Sequence, residues 1–337
     1  MKIVVDAMGG DNAPGVVVEG AVEAARQYKQ NIILIGNEAK IKQELKKYKD
    51  ISCLPISVIN ANEVVGMGES PTESFRRKPD SSIVQGLKLL AENKADGFFS
   101  AGHSGAIGTA ALLTLKRLEG ISRPALATVF PTIKDPCVVI DSGANIDSKP
   151  KNLLQFAIMG MVYSKYILKI DNPRAGLLSI GEEDSKGNEL TLEAFKLMKE
   201  SGINFAGNIE GRDVIKGDVN VVVCDGFVGN IVLKLSEGIS EFLVKLIKDE
   251  IKKNPVRMMT AAFILKSVFK NIKKKIDYDE QGGAPLLGVN GVCVIGHGSS
   301  NSKAIKNGIR VTIETIKNNI NNHIRDEIDR IGVKNGN

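Results

Sequence analysis

Six short glycine-containing loops hold most of the residues in this chain whose types and spacing could do chemistry. In Asp6-Ala7-Met8-Gly9-Gly10-Asp11-Asn12-Ala13-Pro14, Gly9 and Gly10 let backbone approach a ligand between two carboxylates, and Pro14 suits the first turn of a helix. Ser100-Ala101-Gly102-His103-Ser104-Gly105-Ala106 opens a helical pattern, so its unpaired N–H groups and the Ser104 hydroxyl are placed to hold an anion. Asp141-Ser142-Gly143-Ala144-Asn145 and the stretch from Gly181 to Gly187 follow. Cys224-Asp225-Gly226-Phe227-Val228-Gly229-Asn230 and Gly296-His297-Gly298-Ser299-Ser300-Asn301 complete the set. Each of these read alone is an ordinary turn. Together they predict a polar cleft rich in amide donors, with His103, Lys186 and Lys234 as cations beside an oxyanion. Neither a Walker A motif nor a GxGxxG fingerprint is present, so the anion is not a nucleotide held in the usual way.

The elements that must position these loops are legible in the apolar pattern. Val- and Ile-rich runs predict strands near Ile3–Asp6, Ile32–Gly36, Ile56–Asn60, Gly97–Ala101 and Ala125–Phe130. More follow near Val138–Asp141, Gly176–Ile180, Ile203–Gly207, Val219–Cys224 and Gly291–Ile295. Helical periodicity falls near Pro14–Lys29, Glu38–Tyr48, Ser82–Asn93, Ser104–Leu118 and Leu153–Ile170. It returns near Leu190–Ser201, Asn230–Lys252, Val256–Ile276 and Ser302–Ile331. Several strands are continuous apolar runs, as expected when helices cover both faces of a sheet. With no linker or repeat between the halves, the expected fold is an α/β/α three-layer sandwich with a long mixed, mostly parallel sheet. Residues 1–337 then form a single unit of two intertwined lobes, and all six loops are expected at the same, carboxyl end of the strands.

Composition removes other classes. The chain has 337 residues, 43% hydrophobic and 25% charged, which excludes a disordered chain and a membrane bundle. Two uncharged stretches, Gly97–Leu115 and Gln281–Ser302, carry four and six glycines and read as strand–loop–helix corners. Asp6 interrupts any N-terminal apolar run, so no secretory signal is expected and the protein is placed in the cytoplasm. Cys53, Cys137, Cys224 and Cys293 are far apart without a CxxC pair, and His103, His297 and His323 have no zinc spacing. Reduced structural thiols, no metal and no cofactor are expected. With no Trp, 5% aromatic residues and no helix-turn-helix signature, a nucleic-acid partner is not expected.

The net charge of +6 is local. Between Lys252 and Lys275 stand eight Lys or Arg residues and no acid, which leaves the remainder at −2. Within 254–277, Met258, Leu265, Phe269 and Ile272 recur at helical spacing, with Met259 and Phe263 nearby and Lys266 and Lys270 on other faces. The pattern predicts a protruding amphipathic basic helix, suited to an anionic membrane surface. Packing against a second copy, or docking of an acidic protein, would use the same features.

Six segments carry a family resemblance: Asp6–Asp11, Ala101–Ala106, Asp141–Asn145, Gly207–Asp213, Cys224–Asn230 and Gly283–Gly288. Together they resemble the bacterial acyl-ACP:phosphate acyltransferases of phospholipid synthesis, over Lys2 to about Arg325. The resemblance implies transfer of a long-chain fatty acyl group from acyl carrier protein to inorganic phosphate. It also implies a fold similar to phosphotransacetylases and to isocitrate/isopropylmalate dehydrogenases, and a homodimer associated peripherally with membranes. A membrane glycerol-3-phosphate acyltransferase would be a further partner. In that reaction phosphate is itself the nucleophile, consistent with the absence of a GxSxG elbow. His103, Lys186 and Asn230 are the expected catalytic residues, with His103 donating to the thioester oxygen or the departing thiolate. Phosphate is expected near Gly102–Gly105 or near Asp225–Asn230, from among Gly9, Gly10, Asp11, Gly102, Ser104, Gly105, Asp141, Asn145, Asp225, Gly226, Gly229 and Lys234. Four aspartates cannot all face a dianion, so some must orient donors instead. The alternative of the same fold is a phosphotransacetylase-like enzyme using a short acyl-CoA. A decarboxylating dehydrogenase lacks its fingerprint here, and a non-catalytic membrane scaffold leaves six loops unexplained.

Overall fold

The computed structural model describes residues 1–253 and 278–333. The basic segment 254–277, with Met258, Met259, Phe263, Leu265, Lys266, Phe269 and Lys270, lies outside the described residues. Strands β1 (Lys2–Asp6), β2 (Asn31–Gly36), β3 (Ile56–Asn60), β4 (Gly97–Ser100), β5 (Ala125–Phe130) and β6 (Cys137–Ile140) come first in the chain. They are followed by β7 (Ala175–Leu178), β8 (Phe205–Ile209), β9 (Val221–Val223), β10 (Ala284–Leu287) and β11 (Cys293–Ile295). All eleven join one sheet in the order β3-β2-β1-β4-β11-β10-β5-β6-β9-β7-β8.

Alternation within this sheet explains the apolar runs. Ile3 and Val5 of β1 and Phe99 of β4 pack under α1 (Gly15–Tyr28) and Ile305 and Ile309 of α10 (Ser302–Lys317). Val4 and Phe98 face the other way, onto Leu87 of α4 (Ser82–Ala91) and Ile107 of α5 (Ser104–Leu115). In the second half, Val138, Ile140, Val221 and Val223 pack on α6 (Pro150–Tyr166), while Val139 and Val222 face the opposite side. Both faces are covered, so neither face alternates with polar residues.

The sequence pattern missed three features. Strand β10 is a short apolar segment in a glycine-rich stretch, without an alternation that marks it. Helix α3 (Pro71–Arg77) is only 7 residues long and starts on a proline. Asn319, at φ 47°, takes the left-handed conformation and splits the last helix into α10 and α11 (Ile320–Ile331). Cys53 is exposed, whereas Cys137, Cys224 and Cys293 are buried.

The expectation that all six loops share one end is corrected by strand direction. Strands β3, β2, β1, β4 and β11 are parallel to one another. Three antiparallel steps follow, β11 to β10, β10 to β5 and β5 to β6. An odd number of reversals leaves β6, β9, β7 and β8, themselves parallel, running opposite to the first five. The loops after β1, β4 and β11 therefore form one set, and those after β6, β7 and β9 another. What connects the sets is α8 (Gly226–Lys253), a helix of 28 residues that starts in the second set.

Candidate active site

The first set of loops is built around the Asp6 carboxylate. It is buried, accepts the Met8 N–H at 3.0 Å and accepts the Ser100 hydroxyl at 2.7 Å. Burial pushes the Asp6 carboxyl upward, and these donors pull it back. Ser100 Oγ in turn accepts the Gly102 N–H at 3.1 Å, and Asp11 N–H donates to Gly298 O at 2.8 Å. The loops after β1, β4 and β11 are thus stitched to each other. Gly9 has no room for a side chain: a Cβ there would stand 2.8 Å from Asp6 Oδ2, Gly102 N and Ser100 Oγ.

His103 ends the second of these loops as the cap of α5. Its Nδ1 accepts the Ala106 N–H at 3.1 Å, which assigns the proton of the neutral ring to Nε2. The ring is half-buried, and Ser104 and Gly105 in the first turn are exposed. Their N–H groups lack intrahelical partners, as first-turn groups do. Three donors, two from the backbone and one from His103 Nε2, are therefore presented at a helix N-terminus. Pro71 of α3 stands against Gly105, its Cγ 3.2 Å from where a Cβ would be.

The second set is organised by Asp141. Its Oδ1 accepts N–H groups of Leu126, Gly143 and Ala144 at 3.0, 3.1 and 2.9 Å. Its Oδ2 accepts the Asn145 N–H at 2.7 Å and the Asn145 side-chain amide at 2.8 Å. Asn145 also donates to Pro124 O, and its own carbonyl accepts the Gly226 N–H. Both residues were expected to touch phosphate. In the structure, with relative exposures of 0% and 7%, they hold the loop, and Asp141 orients donors as some of the four aspartates were expected to do.

That loop seats the start of α8. The expected loop Asp225–Asn230 is in fact the first turn of this helix, with Asp225 Oδ1 accepting the Val228 N–H at 3.0 Å. Gly229 presses so closely on the Asp141 carbonyl that no side chain could stand there. The exposed Asn230 lies over Gly143, its side chain 3.6 Å from where a Cβ would be. Lys186, also exposed, belongs to the loop after β7 at this same edge, which Asn208 fastens by donating to Glu183 O and Lys186 O.

Lys234 lies eight residues into α8, about 12 Å along its axis at 1.5 Å per residue. There it reaches the first set: Nζ is 3.0 Å from His297 Nε2 and 2.8 Å from Glu237 Oε2. It is therefore a cation shared with Glu237 and His297. Among the described residues, Glu182, Glu210 and Asp213 bring carboxylate oxygens within 4.8 Å of one another, but Arg212 and Lys216 already pair with Glu210 and Asp213.

Comparison with known proteins decides the family. A family described as fatty acid synthesis protein matches residues 1–323. A phosphate acyltransferase of Endomicrobium trichonymphae is 50% identical over 337 residues, 99% of each chain. The chain belongs to the phosphate acyltransferase family. Another member, from Halothermothrix orenii, is 50% identical across 98% of this chain and 100% of its own. This protein is accordingly an acyltransferase of fatty acid and lipid synthesis, acting on an acyl substrate and phosphate. Among solved structures, a phosphotransacetylase from Streptococcus pyogenes superposes with TM-score 0.63 at 20% identity, covering 94% of both chains. A putative 4-hydroxythreonine-4-phosphate dehydrogenase from Salmonella typhimurium gives 0.53 at 13% identity, covering 93% of this chain and 98% of its own. These likenesses establish the fold, with its long mixed sheet and helical layers, as the one shared by phosphotransacetylases and such dehydrogenases.

Glu237 lay outside the loops read from the sequence, and Ser100 and His297 stood within them without an assigned role. One signal was present for His297: Gly296-His297 repeats the Gly102-His103 pair at the end of a neighbouring strand.

Proposed function

We propose that this member of the family transfers a long-chain fatty acyl group from acyl carrier protein to inorganic phosphate, giving acyl phosphate for phospholipid synthesis. The observation that carries this reading is the first turn of α5, where the amides of Ser104 and Gly105 and the His103 imidazole face outward together. A phosphate oxygen attacks the thioester carbonyl carbon, and the C–S bond breaks as the tetrahedral intermediate collapses. The leaving thiolate takes the proton that the attacking hydrogen phosphate gives up, while His103 Nε2–H donates a hydrogen bond to the thioester oxygen or the departing sulfur. Backbone N–H groups hold the charged oxygens, the form of stabilisation that contributes most in acyl transfer. Lys186 and Asn230 approach from the second set of loops, and Lys234 supplies the cation between the sets.

Membrane and partner contacts belong to the same proposal. On α8, Phe227, Ile231, Leu235, Ile239, Phe242 and Leu243 are each about half exposed. An apolar stripe of this size supports a covered surface in a homodimer. It leads in sequence into the segment 254–277, acid-free as far as Lys275, which we assign to an anionic membrane surface. Among the described residues no helix is long and apolar enough to cross a membrane. Peripheral association from the cytoplasm, with a membrane glycerol-3-phosphate acyltransferase taking the product, fits these features.

The shared fold with phosphotransacetylases favours one competing donor, a short acyl-CoA. Purified protein is therefore to be given palmitoyl carrier protein or acetyl-CoA, each with labelled phosphate, and hydroxylamine-sensitive acyl phosphate measured. Preference for palmitoyl carrier protein by at least about 100-fold in kcat/KM, or about 2.7 kcal/mol, is expected. Preference for acetyl-CoA would overturn the long-chain reading.

A further inference from the structure

Two contacts fix the Lys234 ammonium. It donates to His297 Nε2 at 3.0 Å and to Glu237 Oε2 at 2.8 Å, and an ammonium has three N–H donors and no acceptor. His297 must therefore be neutral at Nε2, with its proton on Nδ1, which lies 2.7 Å from Ser299 Oγ. The Ser299 N–H points at the same nitrogen as a donor at 3.3 Å, which is the arrangement of the other tautomer; the shorter Lys234 contact, with a group that can only donate, outweighs it. His297 stands on the loop after β11 and Lys234 on α8, so the pair spans the two sets of loops.

Glu237 makes the position of Lys234 a matter of competition. Its Oε2 already takes one N–H, while Oε1 is buried with no partner among the described residues. An unpaired buried carboxylate oxygen attracts any donor within reach. An ammonium released by His297 would close on both oxygens of Glu237, turn away from the loop after β11 and lose its remaining donor to an internal pair.

We propose that His297 is a positioning residue acting through Lys234: by taking one N–H it keeps the ammonium between the two sets of loops, where the third N–H meets a phosphate oxygen. This rests on the reading of phosphate as acyl acceptor. A neutral imidazole suits the task because it orients the lysine without cancelling its charge.

The test varies phosphate against saturating palmitoyl carrier protein for wild type, His297→Ala, His297→Gln, Lys234→Met and the double variant His297→Ala/Lys234→Met. His297→Ala is expected to raise the phosphate KM about tenfold with kcat within about twofold, the mark of lost uniform binding. In His297→Gln the amide oxygen accepts from the same ammonium, so KM returns to within about threefold of wild type. In the Lys234→Met background, removing His297 adds nothing further. An unchanged KM in His297→Ala, no rescue by His297→Gln, or fully multiplicative effects in the double variant would each overturn the proposal. Equilibrium dialysis of labelled inorganic phosphate on the same proteins separates this from the reaction itself. Where wild type binds phosphate but makes no acyl phosphate, the proposed function fails alone, and the same pattern in Kd supports the positioning role. Phosphate binding that is absent, or indifferent to His297, overturns it.

Discussion

Asp141→Ala is expected to lower the unfolding midpoint by about 10 °C or more, or to prevent accumulation of folded protein. The carboxylate accepts four backbone N–H groups and the Asn145 amide, and the donors of Leu126 and Asn145 are buried. Each buried donor left unpaired costs about 1–3 kcal/mol, against a total stability of about 5–15 kcal/mol. The damage spreads, because the Asn145 carbonyl and the Asp141 backbone seat the first turn of α8. Asp225→Ala is the contrasting variant. It removes one cap to Val228 N–H, and about 1 kcal/mol is expected. Thermal unfolding of both variants checks the pair; an Asp141→Ala midpoint within about 2 °C of wild type would contradict the scaffold role.

The second large effect is on chemistry at His103. Two roles coincide in this side chain, a cap through Nδ1 and a donor through Nε2, and substitution by asparagine separates them. Asparagine is a good N-cap, so His103→Asn retains α5 with a change of about 0.5 kcal/mol or less in stability. It has no donor where Nε2 stood, and a loss of about 10²–10⁴-fold in kcat is expected. His103→Ala should lose a similar factor in rate and about 1 kcal/mol of stability besides. Single-turnover formation of acyl phosphate measures the rate and denaturant unfolding measures the stability. Full activity in His103→Asn would reduce His103 to a cap.

Most elements were legible because burial on both faces of a sheet leaves uninterrupted apolar runs such as Ile3–Val5 and Val221–Val223. Loop chemistry was legible for the same reason at strand ends, where Asp6, Gly102, His103 and Asp141 stand out against apolar neighbours. Strand direction was not. Local pattern carries no sign of whether β5 and β6 run with or against their neighbours, since pairing is a long-range choice. That is why loops expected at one end prove to be two sets. The same limit explains Asp141 and Asn145, which have the residue types of a ligand site but turn inward once five donors converge on one carboxylate. It explains Lys234 too, whose partner His297 lies 63 positions away.

A crystal of the protein soaked in orthophosphate tests the central claim most directly. Tetrahedral density is expected beside the Ser104 and Gly105 amides and His103 Nε2, within reach of Lys234 and Asn230. Density at another place, or none in those loops at saturating phosphate, would contradict a cleft assembled from both halves of the sheet.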